Sequence, residues 1–376
     1  MNLNRSARGA LTLSLALLLG GCAWFGSDAP KPKALESLTP SVAGRVIWSA
    51  RVGDVEFPLQ VAALEDRFVV ADSAGRVQAL RAEDGAELWR GEAGAKLMAG
   101  VGSDGRFAAV VTRDQDLVVF DAGRVLWRKR LAAPVHTAPL VAGERVFVLG
   151  VDRAVHGFDV LDGRRLWELR RPGDALLLAQ PGGLAAYKDT LLVGQGARLA
   201  GVDPLRGTLR WEANVSSPRG TNEVERLADV VGPLARQGDL FCARAFQSAV
   251  GCINAQRGSL VWSRPSAGAK GVSADAKAVV GFDANDRLTA WRTENGETLW
   301  TNEDYQHRQL SAPLLINELL VFGDLEGQVH FLARDTGKAR LRLSTGGSAI
   351  VAGVVRSGTT LLVVARNGGV HALRPE

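Results

Sequence analysis

The sequence predicts an all-β fold, an eight-bladed β-propeller with four antiparallel strands per blade, and three observations predict it. A Gly-x-x-x-Trp marker recurs at Gly44/Trp48, Gly85/Trp89, Gly123/Trp127, Gly163/Trp167, Gly207/Trp211, Gly258/Trp262 and Gly296/Trp300. An eighth copy, Gly337 to Leu341, has lost its Trp. Successive marker glycines lie 41, 38, 40, 44, 51, 38 and 41 residues apart, and a period near 40 with strand-like contents is one blade per repeat. Finally, three strands follow the last marker, while the first marker strand has no three strands before it. That strand can therefore complete the last blade and leave no orphan edge, where an open ring would expose two.

Taken in order, the chain opens with a targeting segment, residues 1–21. Arg5 and Arg8 precede an apolar run over residues 10–19, and Leu19-Gly20-Gly21-Cys22 closes it. That run is too short to anchor across a bilayer. The order of charge, apolar run and small residues resembles the lipobox of bacterial lipoproteins, which implies cleavage and lipid attachment at Cys22. By the sorting rule of that family, Ala23 in place of Asp implies the outer membrane. Residues 22–43 carry Pro30, Pro32 and Pro40 and read as a flexible tether. Residues 44–376 are left for the propeller, a single domain despite a length of 376 residues.

Within each repeat the third strand is the clearest, as in Arg76-Val77-Gln78-Ala79-Leu80 and Arg198-Leu199-Ala200-Gly201-Val202. Five residues separate its last apolar residue from the marker Gly in most copies, a polar turn in which Gly supplies the left-handed position. In the copy Phe120 to Gly123 the turn is two residues tighter. Many such turns account for 43 glycines. Cys242 and Cys252 flank the turn of one predicted hairpin, and an oxidising compartment makes a disulfide between them the expected state. A one-residue slip in register would point them to opposite faces.

Composition narrows the function. The formal charge of +5 falls to +3 on loss of Arg5 and Arg8, mild for this length and no case for nucleic acid. The marker tryptophans occupy one repeat position, which points to packing between blades. His156, His330 and His371 share one third-strand slot in three different blades, so the repeat places them there, not coordination. Neither a Gly-x-Ser-x-Gly elbow nor a zinc spacing is present, and no Trp precedes an Asp as in WD-type blades. Neither a metal nor a cofactor is expected, and no enzymatic activity. The Gly-x-x-x-Trp repeat resembles the blades of quinoprotein dehydrogenases, yet the vicinal Cys-Cys of those enzymes is missing. A quinoprotein-like periplasmic dehydrogenase and a carbohydrate-binding propeller are the alternatives.

Two departures from the period carry the functional reading. The extra residues fall in 170–184 and 213–230, connections between neighbouring blades that should emerge on one rim as one raised patch. The first contains Ala175-Leu176-Leu177-Leu178-Ala179, which reads as an apolar anchor or as a longer first strand. The second contains Glu223-Val224-Glu225-Arg226-Leu227-Ala228-Asp229-Val230, which reads as a binding segment or as a solvated loop.

Lipobox, proline-rich tether, eight marker blades and the segment Glu225–Val230 together resemble the BamB family, lipoprotein propellers of the outer-membrane β-barrel assembly (BAM) machinery. The resemblance implies a lipid-anchored scaffold facing the periplasm. It implies docking on the POTRA domains of BamA and help to unfolded outer-membrane proteins on their way to it. Carried over by motif, Leu176 and Leu178 are apolar anchors, with Glu225, Arg226 and Asp229 as polar partners. Ala179 stands where the family can carry an Arg, and Arg170 and Arg171 lie close by.

Overall fold

The computed structural model describes residues 30–171, 178–217 and 227–376, and the chain divides into Met1–Pro32 and a body, Lys33–Glu376. Among the described residues of the body, thirty-two strands pair into eight four-stranded antiparallel sheets. Numbered in chain order, blades 1 to 7 cover 62–92, 97–130, 140–169, 184–214, 230–265, 273–302 and 314–344. Blade 8 combines the last three strands, 355–375, with the first, Gly44–Arg51. Gly44–Arg51 runs antiparallel to Gly369–Pro375, with Arg45 opposite Arg374 and Ser49 opposite His371. The ring thus closes as the marker count requires, and its terminal edge is paired.

Strand character follows from burial. The middle strands of each blade, such as Phe107–Thr112 and Leu361 in Thr360–Val364, are apolar on both faces because a sheet lies on either side. Fourth strands, such as Arg124–Arg130, are largely exposed and form the rim. First strands of successive blades contact one another around the ring.

The marker residues interlock neighbouring blades. A Cβ added to Gly163 of blade 3 would sit 2.7 Å from the indole of Trp127 in blade 2, and Gly163 itself holds φ +69°. Trp127 Nε1 then donates to the carbonyl of Val160 at 2.7 Å, beside the same turn. The arrangement recurs for Gly85 under Trp48, Gly207 under Trp167, Gly258 under Trp211, Gly296 under Trp262 and Gly337 under Trp300. The tight turn at Gly123 breaks the pattern, since its nearest neighbours are backbone atoms of Arg90. In the copy without Trp, Leu341 packs on Gly44 and is 5% exposed.

The sequence assigns 22–43 to a tether, but from Lys33 onward the chain lies along the rim. Lys33 N donates to Gln306 O at 3.0 Å and Ser41 N to Arg340 O at 2.9 Å. Arg308 Nη1 donates to Lys33 O at 2.9 Å and Arg342 Nη1 to Glu36 O at 3.1 Å. Leu35 packs against the apolar cluster between blades 6 and 7. The segment joins no sheet ladder, yet its carbonyls accept from the guanidinium groups of Arg308, in a turn, and Arg342, in the last strand of blade 7.

Candidate functional site: the junction of blades 3, 4 and 5

Both long connections begin and end on one edge of the ring. The structure describes the first up to Arg171 and from Leu178, and the second up to Ser217 and from Leu227. Leu176, Glu225 and Arg226 lie outside the described residues, as does Cys22. The returning ends of the two connections meet. Gly182 bridges to Val231, and Gly232 N donates to Pro181 O at 3.0 Å. Ala228 is 4% exposed and enters the core of blades 4 and 5, which fixes where the second connection comes down.

Asp229 ties the junction together. One oxygen accepts the backbone N–H of Leu178 at 3.1 Å; the other stands 3.7 Å from Arg153 Nη2 in a turn of blade 3. Its side chain keeps only 16% exposure. Arg153 adopts φ 61°, a left-handed conformation that aims its side chain across the blade boundary. Thr137 adds a further link, since its hydroxyl accepts from Gly182 N at 2.8 Å. The void left among these groups measures about 50 Å³, room for water and not for an organic ligand. The junction is therefore a clamp. It holds Leu178, half-buried, at the lip of the first connection, next to the exposed Ala179.

The nearby arginines are engaged. Arg171 pairs with Glu212, and Arg170 pairs with Glu168 while remaining 63% exposed. Among the described residues of the patch, Arg170 is thus a cation presented outward.

The other singled-out residues are distributed as the repeat dictates. Among the described residues, no group of three or more His, Cys, Asp or Glu could hold a metal ion. His330 is buried and lies 2.9 Å from Asp324 Oδ2; His371 Nδ1 is 2.9 Å from Ser49 Oγ. Burial pushes the His330 ring below its ordinary 6.5 in spite of the neighbouring carboxylate. Against its own burial, Asp324 stays below the usual carboxylate range, because His330, the Gln328 N–H and Arg308 hydrogen-bond to it. Neutral His330 consequently donates from Nε2. Sequence reasoning missed this network; the signal was Gly323-Asp324-Leu325-Glu326-Gly327, where Asp324 sets the turn and Glu326 also reaches Arg308. Cys242 and Cys252 stand directly opposite in blade 5 and are joined by a disulfide.

Comparison with known proteins places this geometry. Residues 73–302 match the family described as "Outer membrane protein assembly factor BamB". The chain is 33% identical to the protein of that name from Bordetella pertussis, over 98% of this chain and 97% of the relative. It is 26% identical to the Escherichia coli protein of the same name, over 95% and 96%. Among solved structures, BamB from Moraxella catarrhalis superposes with a TM-score of 0.80 at 24% identity, covering 88% of this chain and all of that one. Quinohemoprotein alcohol dehydrogenase from Comamonas testosteroni reaches 0.66 at 12% identity, over 91% and 78%, a likeness of fold alone. With the matched model spanning more than half of its length and a relative at 33% identity along nearly all of it, the chain belongs to the BamB family of outer membrane protein assembly factors.

Proposed function

We propose that this chain is a non-enzymatic scaffold subunit of the BAM complex, lipidated at Cys22 and held on the periplasmic side of the outer membrane. Its docking surface for the BamA POTRA domains is the patch made by residues 170–184 and 213–230. Leu176 and Leu178 serve as apolar anchors, with Glu225, Arg226 and the outward Arg170 at the charged rim. A central apolar anchor with a polar rim suits a specific interface of modest size. Asp229, a polar partner by motif, also works inside the junction, where one oxygen accepts from Leu178 N and the other faces Arg153, so it positions Leu178.

The observation that carries this reading is the hydrogen bond from Leu178 N to Asp229, which joins the two connections into one surface. The printed names of the relatives support the assembly role. The propeller shared with quinohemoprotein dehydrogenases gives no reason to expect their chemistry, since the chain carries no vicinal Cys-Cys.

The test replaces Leu176 and Leu178 together by Asp in the lipidated protein. Co-purification of BamA should drop at least tenfold while the thermal melt stays within a few degrees of wild type. Undiminished capture of BamA by the folded double variant would overturn the assignment.

A further inference from the structure

A cleft of about 540 Å³ opens between blades 5 and 6. It lies on the face that carries the two long connections. Ser248, on its wall, sits 2.5 Å from the hydroxyl of Ser216, where the second connection leaves blade 4. A volume of this size is within the range of ligand sites.

Beside apolar Pro265, Ala267 and Ala284, the lining offers hydroxyl and amide groups, among them those of Ser248, Thr289 and Asn285. Thr289 and Thr298 come from the two outer strands of blade 6, so the sheet's own pleat sets their spacing. The lining holds one charge of each sign, Asp283 and Arg287, paired at 3.1 Å. Asp283 is further occupied by the N–H groups of Asn285 and Arg287. Glu303, outside the lining, stands 3.9 Å from Arg287.

Behind this wall sits Arg244, with 0% exposure. Its Nε donates to Lys270 O and its Nη1 to the carbonyl and hydroxyl oxygens of Ser266. Every acceptor it reaches is therefore a neutral oxygen, and Nη2 has no partner among the described residues. The space is built for the guanidinium, since a Cβ on Gly268 or Gly281 would come within 2.8 Å or 2.7 Å of its nitrogens. Burial lowers its pKa to about 10, partly offset by Asp283, so it remains a cation at neutral pH. A charge enclosed by neutral dipoles in a poorly polarisable interior is little screened, and its field reaches the adjoining cleft. The lining is neutral on balance and Glu303 beside it is exposed to solvent, so buried Arg244 is the least screened charge at the site.

We propose that this cleft binds an extended acidic peptide segment, its main-chain amides meeting the hydroxyl and amide walls and a carboxylate meeting Arg287. Groups that both donate and accept suit a peptide backbone. A sugar would lack its stacking face, because the one indole in the lining, Trp291, is only 4% exposed. The inference stands on the cleft alone and goes beyond the docking reading. The contact of Ser248 with Ser216 makes the two surfaces neighbours.

The test uses the full mature protein and a fluorescein-labelled peptide, Gly-Ser-Glu-Gly-Glu-Ser-Gly, with its Gln counterpart in place of each Glu. Polarisation titrations should show the acidic peptide binding at least tenfold tighter. Arg287→Gln and Thr298→Val should each weaken it about five-fold while BamA capture stays unchanged, which separates this site from the leucine patch. Arg244→Met should remove the preference for acid, and Arg287→Gln decides the matter if Arg244→Met fails to fold. Equal affinity for both peptides, or full binding by folded Arg287→Gln, would overturn the proposal. So would displacement of the peptide by chitotetraose, which would mark a glycan site instead.

Discussion

Asp229 joins three blades with one carboxylate. It belongs to the strand entry of blade 5, bonds the backbone of Leu178 ahead of blade 4, and faces Arg153 in a turn of blade 3. Replacing it with Asn keeps the shape but removes the charge that holds Arg153 at 3.7 Å and makes the bond from Leu178 N a neutral one, where hydrogen bonds to charged groups contribute about 1.5–3 kcal/mol against about 1 kcal/mol for neutral ones. Asp229→Asn should therefore weaken capture of BamA about ten-fold, with the melting temperature lowered only slightly. Arg153→Gln should match it in direction, because each removes the same contact. Equal capture by both variants and wild type would show that the clamp does not set Leu178. The acid was legible in the sequence as part of a charged segment; its role was not. Arg153 is remote in sequence and stands in Val151-Asp152-Arg153, with a left-handed backbone that nothing in a non-glycine residue announces.

At the scale of the blade, the interlock of a tryptophan with the next blade's turn glycine separates two physical costs. Gly163 and Gly143 both hold positive φ, but a Cβ meets the Trp127 indole at the first and nothing within 4 Å at the second. Gly143→Ala should cost about 1 kcal/mol, the backbone penalty alone. Gly163→Ala adds displacement of a packed ring and should cost about 3 kcal/mol by urea unfolding. Equal costs would mean that the indole gives way freely. The marker was readable because seven copies repeat it, and six of the seven tryptophans form this interlock. The turn at Gly123 was also visible as an exception, through its missing two residues. The ending of the tether at Lys33 was not readable. It depends on Arg308 and Arg342, residues from the far end of the chain whose guanidinium groups meet carbonyls of a segment with no strand pattern.

Across the whole molecule, four histidines respond to acid in the same sense. Burial lowers His136, His156, His330 and His371 below the ordinary 6.5. With the folded value below the unfolded one, the unfolded chain binds more protons as pH falls through 6.5, so stability is full above that value and lost beneath it. The melting temperature should hold steady above pH 7.5 and decline from pH 6.5 to pH 5. His330→Gln should flatten that decline, since His330 is the most enclosed of the four. An unchanged slope in the variant would assign the effect elsewhere. The eight-fold architecture was fully legible, because period and closure are properties of spacing. The junction was legible only as two overlong intervals, since what joins them is a contact between blades.

The segment hydrogen-bonded along the rim also sets a leash. Counted from Cys22 to Lys33, eleven residues can stretch at most about 35–40 Å, half of what the same chain would reach if free up to Gly44. For a chain lipidated at Cys22, as proposed above, the volume swept from the anchor shrinks with the cube of that reach, to about one-eighth. A domain so moored would meet its membrane-embedded neighbours at a correspondingly higher local concentration, and the proposed docking patch would need little intrinsic affinity to stay occupied.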